Sequence, residues 1–224
     1  MLLISPASPH VSESLSQYQP GTIFLFGGTN WVSRLIQAWT CSRYSHVAIV
    51  ADIQAVDVRA HRPVRVWRPS YDIGAGWQDG PYLVESTTLE SGPCEILRRP
   101  INGVQVRRIN QRIEDFPGKI WAMRPRHALD ECESMLLTQW LLDHVGRPYD
   151  YEGAGIGGLR WLDRWLPCSH SRSRMFCSEL VGGAIAYALQ GRQLPEIDPG
   201  CLTPSDLANT LAKFGLYLPP EVVT

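Results

Sequence analysis

This sequence has little of what would mark a membrane, secreted or nucleic-acid-binding protein. Its 224 residues contain no run of about 18 apolar residues, so no segment is expected to span a bilayer. The N-terminal stretch MLLISPASPHVSES has neither a basic region nor an apolar core, so no secretory signal is recognised and a cytoplasmic location is expected. The net charge of −1 creates no overall field that attracts nucleic acid or an anionic membrane.

The cysteines lack the arrangements that define disulfide or zinc proteins. All six are scattered with no CxxC pair, and an even count alone does not indicate disulfides in a chain this long. Cys168, His170 and Cys177 have the spacing C-x-H-x6-C, which fits no common zinc site and has no fourth ligand nearby. We therefore predict reduced thiols and neither a metal nor an organic cofactor.

Two other motifs indicate less than they first suggest. The glycines of GAGIGG (residues 153–158) spell GxGxxG, but the GRPYDYE before them is not the buried strand that a dinucleotide site needs. The eight tryptophans have no basic groove beside them, which favours core packing over stacking on nucleic-acid bases. Trp161 and Trp165 also favour core packing, with the wall of a substrate cleft as the alternative.

The elements that are present follow a pattern typical of an α+β protein. After a polar leader over residues 1–19, the domain is expected to span residues 20–224, with insertions at about 52–80 and 153–174. The predicted strands cover residues 20–26, 45–51, 64–67, 82–87, 103–109 and 119–124. The predicted helices cover about 29–40, 129–145, 177–191 and 203–215. An antiparallel sheet packed against helices is the expected architecture.

The stretch MFCSELV places Cys177 at the start of a predicted helix. A thiol in the first helical turn faces unpaired backbone N–H groups and the positive end of the helix dipole. Such a position favours the thiolate, and the same N–H groups can hold an oxyanion. The alternative is a buried apolar filler, since free cysteine is among the most buried residues. Gly182 and Gly183 in this helix each cost roughly 1 kcal/mol against alanine, which predicts close packing against another backbone.

A thiolate nucleophile needs an imidazole beside it, and His46 is the best candidate. The segment RYSHVAIV puts this ring at the entry to an apolar strand, where rigid backbone fixes it. Its alternative is a hydrogen-bonded histidine at the sheet edge. The other histidines lie in the leader, in arginine-containing loops or at helix ends, where a cation is ordinarily structural: His10, His61, His127, His144 and His170.

Glu85 is the candidate for the group that orients the imidazole. In PYLVEST it shares a sheet face with Leu83, because side chains alternate along a strand. A carboxylate on an apolar face needs a partner, and His46 is the economical one. The alternative is a glutamate that points to solvent from a sheet with one wet face.

Taken together, GTIFLF, YSHVAIV, YLVEST, GRPYDYEG, FCSELV and LTPSDL resemble the permuted NlpC-type papain-like family in order and spacing. This family holds the YiiX-like bacterial proteins and is related to lecithin:retinol acyltransferase; the match covers residues 21–207. The resemblance implies a circularly permuted papain-like fold, with His46 as base, Cys177 as nucleophile and Glu85 as orienting group. Tyr149 matches a family tyrosine set to line the site, and Ser178 is predicted with it to bind substrate.

These residues predict a cysteine hydrolase that cleaves an amide or ester bond through an acyl-enzyme. The expected substrates are a peptide, a peptidoglycan fragment or a small acyl-amide or lipid-like molecule, with no nucleic acid as partner. Three alternatives stay open: an acyltransferase using the same thioester, a non-catalytic binding module on the same fold, and a cell-wall or lysis peptidase outside the cytoplasm. The sequence does not define the oligomeric state.

Overall fold

A computed structural model describes residues 18–54, 77–88, 92–150, 175–192 and 202–223. Within these ranges the strands are β1 (Ile23–Gly28), β2 (His46–Ile53), β3 (Gly80–Thr87), β4 (Gly103–Arg107), β5 (Gly118–Met123) and β6 (Glu221–Val222). The helices are α1 (Trp31–Trp39), α2 (Ile109–Glu114), α3 (Glu131–His144), α4 (Cys177–Ala188) and α5 (Pro204–Lys213). The α+β class predicted from the sequence is confirmed.

The strands form a single antiparallel sheet in the order β4-β3-β2-β1-β5-β6. The register sets Ala48 of β2 opposite Glu85 of β3, and Glu85 opposite Gln105 of β4. Because side chains alternate along a strand, His46, two residues before Ala48, projects from the same face as Glu85. The pairing of β2 with β3 therefore places an imidazole and a carboxylate on neighbouring strands.

Each face of the sheet carries its own apolar core. The first core joins residues such as Val47, Ile49 and Val84 to α3 and α4. The second lies on the opposite face, around Phe26 and Leu83, and takes in side chains from α2 and from the β5 side of the sheet. Burial on both faces explains why β1 and β2 read as nearly continuous apolar runs rather than as alternating ones.

Side-chain caps stabilise the starts of α1 and α5. Asn30 caps α1, accepting a 2.7 Å hydrogen bond from the Ser33 N–H. At α5, Thr203 is the N-cap, Pro204 occupies the first helical position, and Asp206 accepts a return bond from the Thr203 N–H. Such reciprocal bonds satisfy donors that helix geometry leaves unpaired.

The strand predicted over residues 103–109 is too long, and a helix is missing from the prediction. Strand β4 ends at Arg107, and α2 begins at Ile109. Ile109 and Ile113, one turn apart, pack into the second core, but a single apolar turn is too short for periodicity to reveal. This short helix carries Arg112 into the interior.

Two packing predictions are also corrected. Gly183 does pack closely, but against a side chain rather than a backbone: a Cβ there would lie 2.7 Å from the Trp140 ring. The tryptophans are not all core residues, since Trp31 of α1 is 76% exposed. Trp31 therefore lies on the surface of the protein and not in either core.

Several predictions fall outside the described residues. These are the leader up to residue 17, the strand at 64–67, the GAGIGG stretch, and Trp161 and Trp165. Of the first predicted insertion, Asp52 and Ile53 belong to β2 and Gly80 opens β3, while residues 55–76 are not described. Among the described helices, none has the length and apolar character needed to cross a bilayer.

Candidate active site

Cys177 is the first residue of α4 and is almost fully buried. The segment before it is fixed to the rest of the fold by backbone and side-chain bonds. The Ser86 hydroxyl of β3 donates a 2.6 Å hydrogen bond to the Met175 carbonyl, and the Met175 N–H donates to the Pro148 carbonyl at 3.0 Å. These bonds hold the start of α4 against the strand that carries Glu85.

The start of α4 leaves backbone donors next to the thiol. The N–H of Leu180 donates to the carbonyl of Phe176 at 3.0 Å, which is the first helical bond of α4. Helix geometry gives the N–H groups of Cys177 and Ser178, which precede it, no intrahelical acceptor. Together with the positive end of the helix dipole, they form a place where an oxyanion is stabilised.

His46 opens β2 beside Cys177. Its Nε2 lies 2.7 Å from Oε2 of Glu85, and its ring packs against Phe26, directly opposite it on β1, with 5.5 Å between ring centroids. Burial lowers the pKa of His46, but hydrogen bonds to Cys177 and Glu85, together with their charges, outweigh it and raise the pKa to about 9. Because Nε2 faces Glu85, Nδ1 is the ring nitrogen left for the bond to Cys177.

Glu85 is completely buried, so the alternative of a solvent-facing glutamate is wrong. It projects from the same face as Leu83, in the second core. Burial raises the pKa of its carboxyl, but the charge of Arg112 and the hydrogen bond and charge of His46 outweigh it and lower the pKa to about 2. Glu85 is therefore an ionised acceptor for the imidazole at neutral pH.

Two further residues bind Glu85 and were missed by the sequence reasoning. Arg112 of α2 donates from Nε to Oε1 at 2.8 Å and from Nη2 to Oε2 at 3.2 Å. Gln105 of β4 donates from Nε2 to Oε1 at 3.3 Å. The alternation of β4 would have placed Gln105 on the face of Glu85 once the register was known. No pattern in the sequence indicates that Arg112 lies beside Glu85, because α2 itself was not predicted.

The two predicted substrate-binding residues, Tyr149 and Ser178, lie in different surroundings near the start of α4. Tyr149 is half-buried and forms an isolated parallel bridge with Met175. Ser178 is completely buried, and its hydroxyl donates a 2.5 Å hydrogen bond to the Leu202 carbonyl. A contact between Ser178 and a ligand would therefore come through its backbone N–H. Both substrate roles stay predictions.

The described histidines other than His46 lie apart from this cluster. His144 is not the cation expected at a helix end: its burial, opposed by the bond of Nδ1 to the Trp140 carbonyl at 2.6 Å, lowers its pKa to about 4. Its ring stacks on Trp140 with centroids 3.8 Å apart. His127 is exposed, while His10, His61 and His170 lie outside the described residues.

The described residues thus define an α+β protein whose antiparallel sheet and helix start bring a thiol, an imidazole and a carboxylate together. Among solved structures, the chain is similar to the metalloprotein yiiX from Escherichia coli O157:H7. The two share 19% sequence identity, with 93% of this chain and 97% of that chain covered and a TM-score of 0.54. At this identity the likeness shows the fold alone. No family model matches the sequence, and no curated protein matches it.

Proposed function

We propose that this protein is a cysteine hydrolase that cleaves an amide bond, peptide or N-acyl, or an ester bond. The observation that carries the proposal is a row of three buried side chains, Cys177, His46 and Glu85. His46 interacts with both of the others, and its Nε2 lies 2.7 Å from Oε2 of Glu85. Such a nucleophile, base and orienting group define acyl transfer by geometry, whatever their order in the sequence. The resemblance to the permuted papain-like family and the fold shared with yiiX support it.

In the first half of the reaction, the Cys177 sulfur attacks the substrate carbonyl carbon as a thiolate. The negative charge moves to the carbonyl oxygen, which the N–H groups of Cys177 and Ser178 stabilise. When the tetrahedral intermediate collapses, the carbon–nitrogen or carbon–oxygen bond breaks and His46 gives its proton to the departing amine or alcohol. A thioester on Cys177 and a neutral His46 remain.

In the second half, water replaces the leaving group. His46 accepts a proton from water as the oxygen attacks the thioester carbonyl, and a second tetrahedral oxyanion forms at the same N–H groups. Its collapse breaks the carbon–sulfur bond and releases the carboxylic acid, whose proton leaves to solvent. Cys177 returns to the thiolate beside a protonated His46, and the cycle closes without net change in the protein.

Glu85 gives His46 its orientation and its charge. Accepting the Nε2–H at Oε2 fixes the ring so that Nδ1 faces the sulfur, and the carboxylate favours the imidazolium that re-forms once in each cycle. The resemblance favours a peptide, a peptidoglycan fragment or a small acyl-amide or lipid-like molecule as substrate.

The proposal is tested by the pH dependence of thiol alkylation, resolved by site with mass spectrometry. Cys41 and Cys132 are exposed and Cys94 is buried, so the chain supplies its own reference thiols. We expect Cys177 to react at least tenfold faster than all three below pH 7 in the wild type. His46→Ala should abolish that advantage, whereas His144→Ala, which removes an equally buried histidine, should preserve it.

The outcomes separate the proposal from its rivals. A Cys177 that reacts no faster than Cys94 would contradict the hydrolase and favour the binding module. If Cys177 is reactive, ester and amide probes follow: a carboxylic acid product confirms hydrolysis, and a new ester or amide formed only with added alcohol or amine indicates an acyltransferase. Acylation of Cys177 is read directly from its mass in either case.

The yiiX protein of Escherichia coli is called a metalloprotein, and the described residues of this chain do not fit a metal site. Across residues 18–54, 77–88, 92–150, 175–192 and 202–223, no group of three or more His, Cys, Asp or Glu side chains is arranged to hold an ion. Both oxygens of Glu85 already accept hydrogen bonds from His46 and Arg112. No step of the proposed reaction is therefore assigned to a metal.

A further inference from the structure

A buried guanidinium stands behind the candidate active site. Arg112 is 1% exposed and Glu85 is 0% exposed, so both charges are withdrawn from water. Ion pairs buried in this way are not efficient sources of stability, because desolvation cancels much of the attraction. In other proteins, apolar residues of similar volume often stabilise the fold as well as a buried ion pair does. The presence of this pair beside His46 therefore calls for a reason connected with the site.

We propose that Arg112 is a positioning residue, whose guanidinium orients Glu85 and keeps it ionised next to His46 while the charge of His46 changes. This inference rests on the proposed function, since it assigns Arg112 a part in the same reaction. Arg112 is assigned no contact with the sulfur or with a substrate, and acts through Glu85 alone.

The geometry of the contact supports this role. Nε and Nη2 of Arg112 each bind a different oxygen of Glu85, at 2.8 and 3.2 Å. A planar fork that engages both oxygens fixes the rotation of the carboxylate as well as its position. Oε2 is thereby directed at Nε2 of His46, 2.7 Å away. A single point of contact would leave the carboxylate free to turn away from the imidazole.

The charge balance of the site supports the same role. With Cys177 as thiolate and His46 protonated, the thiolate, the imidazolium, Glu85 and Arg112 sum to zero. When His46 gives its proton to the leaving group, its positive charge disappears from the side of Glu85. Arginine does not lose its proton in proteins, so Arg112 still balances the buried carboxylate at that moment. Glu85 then has no electrostatic reason to take the proton that His46 must deliver.

The surroundings of Arg112 hold the fork still. Its guanidinium carbon lies 5.0 Å from the centroid of the Phe26 ring and 5.2 Å from that of Phe116. Aromatic faces attract a cation without accepting its protons, so they leave the N–H groups to Glu85. Phe26 also packs against His46, which links the positions of base and cation through one ring.

The test compares variants by the pH profile of Cys177 alkylation. Arg112→Met removes the charge and the fork, so Glu85 takes up protons at higher pH. The acid limb of the profile, which is the pH range where Cys177 reactivity falls as Glu85 is protonated, therefore moves to higher pH. We expect the Cys177 advantage over Cys41 and Cys132 to fall several-fold at pH 5, where Glu85 would then be partly protonated, and less at pH 8, where Glu85 stays ionised. Arg112→Lys keeps the charge, so its acid limb should stay near that of the wild type while the rate falls at every pH.

The matched control is Arg107→Met. Arg107 is buried to the same 1% but stands opposite Leu83, not Glu85, in the sheet register. Its loss should lower stability and leave the acid limb unchanged. If Arg112 has a purely structural role, Arg112→Met should behave like Arg107→Met. Its Cys177 reactivity would then fall uniformly at every pH, with no change in the shape of the profile. That result would overturn the inference.

A double variant keeps the test decisive if Arg112→Met does not fold. Glu85→Gln with Arg112→Met leaves neither charge buried alone, and it should match Glu85→Gln in reactivity because Arg112 acts through Glu85. A further tenfold loss in the double variant would show an independent role and contradict the inference. If wild-type Cys177 shows no advantage at all, the proposed function fails with it; if the advantage stands and Arg112→Met keeps the wild-type profile, only the role of Arg112 fails.

Discussion

The Ser86 hydroxyl donates a hydrogen bond to the Met175 carbonyl, two residues before Cys177. Ser86 follows Glu85 on β3 and projects from the opposite face of the sheet. Two consecutive residues of one strand thus contact both sides of the site, the carboxylate holding His46 and the hydroxyl holding the segment that leads to the nucleophile. Strand β3 therefore contacts both the base and the segment that precedes the thiol.

Removal of this hydroxyl tests that geometry. Ser86→Ala leaves the buried Met175 carbonyl without this donor, which should cost about 1 kcal/mol of unfolding free energy. We also expect the Cys177 alkylation rate at pH 6.5 to fall about tenfold, because small displacements of reacting groups are expensive. Thr138→Val is the control: it removes a similar hydroxyl bond, from α3 to the Asp52 carbonyl, and should cost stability without changing Cys177. Equal reactivity in both variants would contradict the role of Ser86.

The sequence predicted those parts of the site that regular strands and helix starts determine. His46 and Glu85 stand on strands whose apolar runs are unambiguous, and Cys177 stands at a helix start marked by FCSELV. What it did not predict depends on pairing between distant segments. The contact of Gln105 with Glu85 needs the β3–β4 register, and that of Arg112 needs a short helix without a periodic signal. Neither spacing nor residue type contains that information.

The close contact of α3 with α4 gives a prediction on stability. Gly183→Ala should raise helix propensity by about 1 kcal/mol, yet its Cβ would lie 2.7 Å from the Trp140 ring. Overpacking in a filled core costs about 1–3 kcal/mol, so we expect a net loss of stability in urea unfolding. Gly191→Ala, where no atom lies within 4 Å of the new Cβ, should cause no such loss. Restored stability in Gly183→Ala with Trp140→Leu would confirm the clash as the cause.

The pH profile of Cys177 alkylation should show the raised pKa of His46. With that pKa at about 9, His46 keeps its proton through the neutral range. The rate at which Cys177 is alkylated while paired with protonated His46 should therefore be constant in that range and should change as pH rises through about 9. Glu85→Gln removes a charge that raises the pKa of His46, so this alkaline limb should move to lower pH. Glu133→Gln, on α3 away from the site, is the control and should leave the limb in place. An unchanged limb in Glu85→Gln would show that Glu85 does not tune His46.

The pKa of His144 is shifted in the opposite direction to that of His46, and this shift should appear in the dependence of stability on pH. Its pKa falls from about 6.5 in the unfolded chain to about 4 in the fold, so the unfolded state binds more protons between these values. The free energy of unfolding therefore rises from pH 4 to 6.5, by up to about 3 kcal/mol from this residue, and is lost as pH falls through 4.

His144→Phe keeps an aromatic ring against Trp140 and cannot titrate, so it should flatten the pH dependence of stability between pH 4 and 6.5 relative to the wild type. Urea unfolding at half-unit steps of pH measures the difference. Substitution of the exposed His127 by phenylalanine is the control, since it removes a histidine from the surface and leaves the stacked pair of His144 and Trp140 in place. Parallel curves for the wild type and His144→Phe would mean that His144 is protonated in the fold, and that the cation expected at this helix end was there after all.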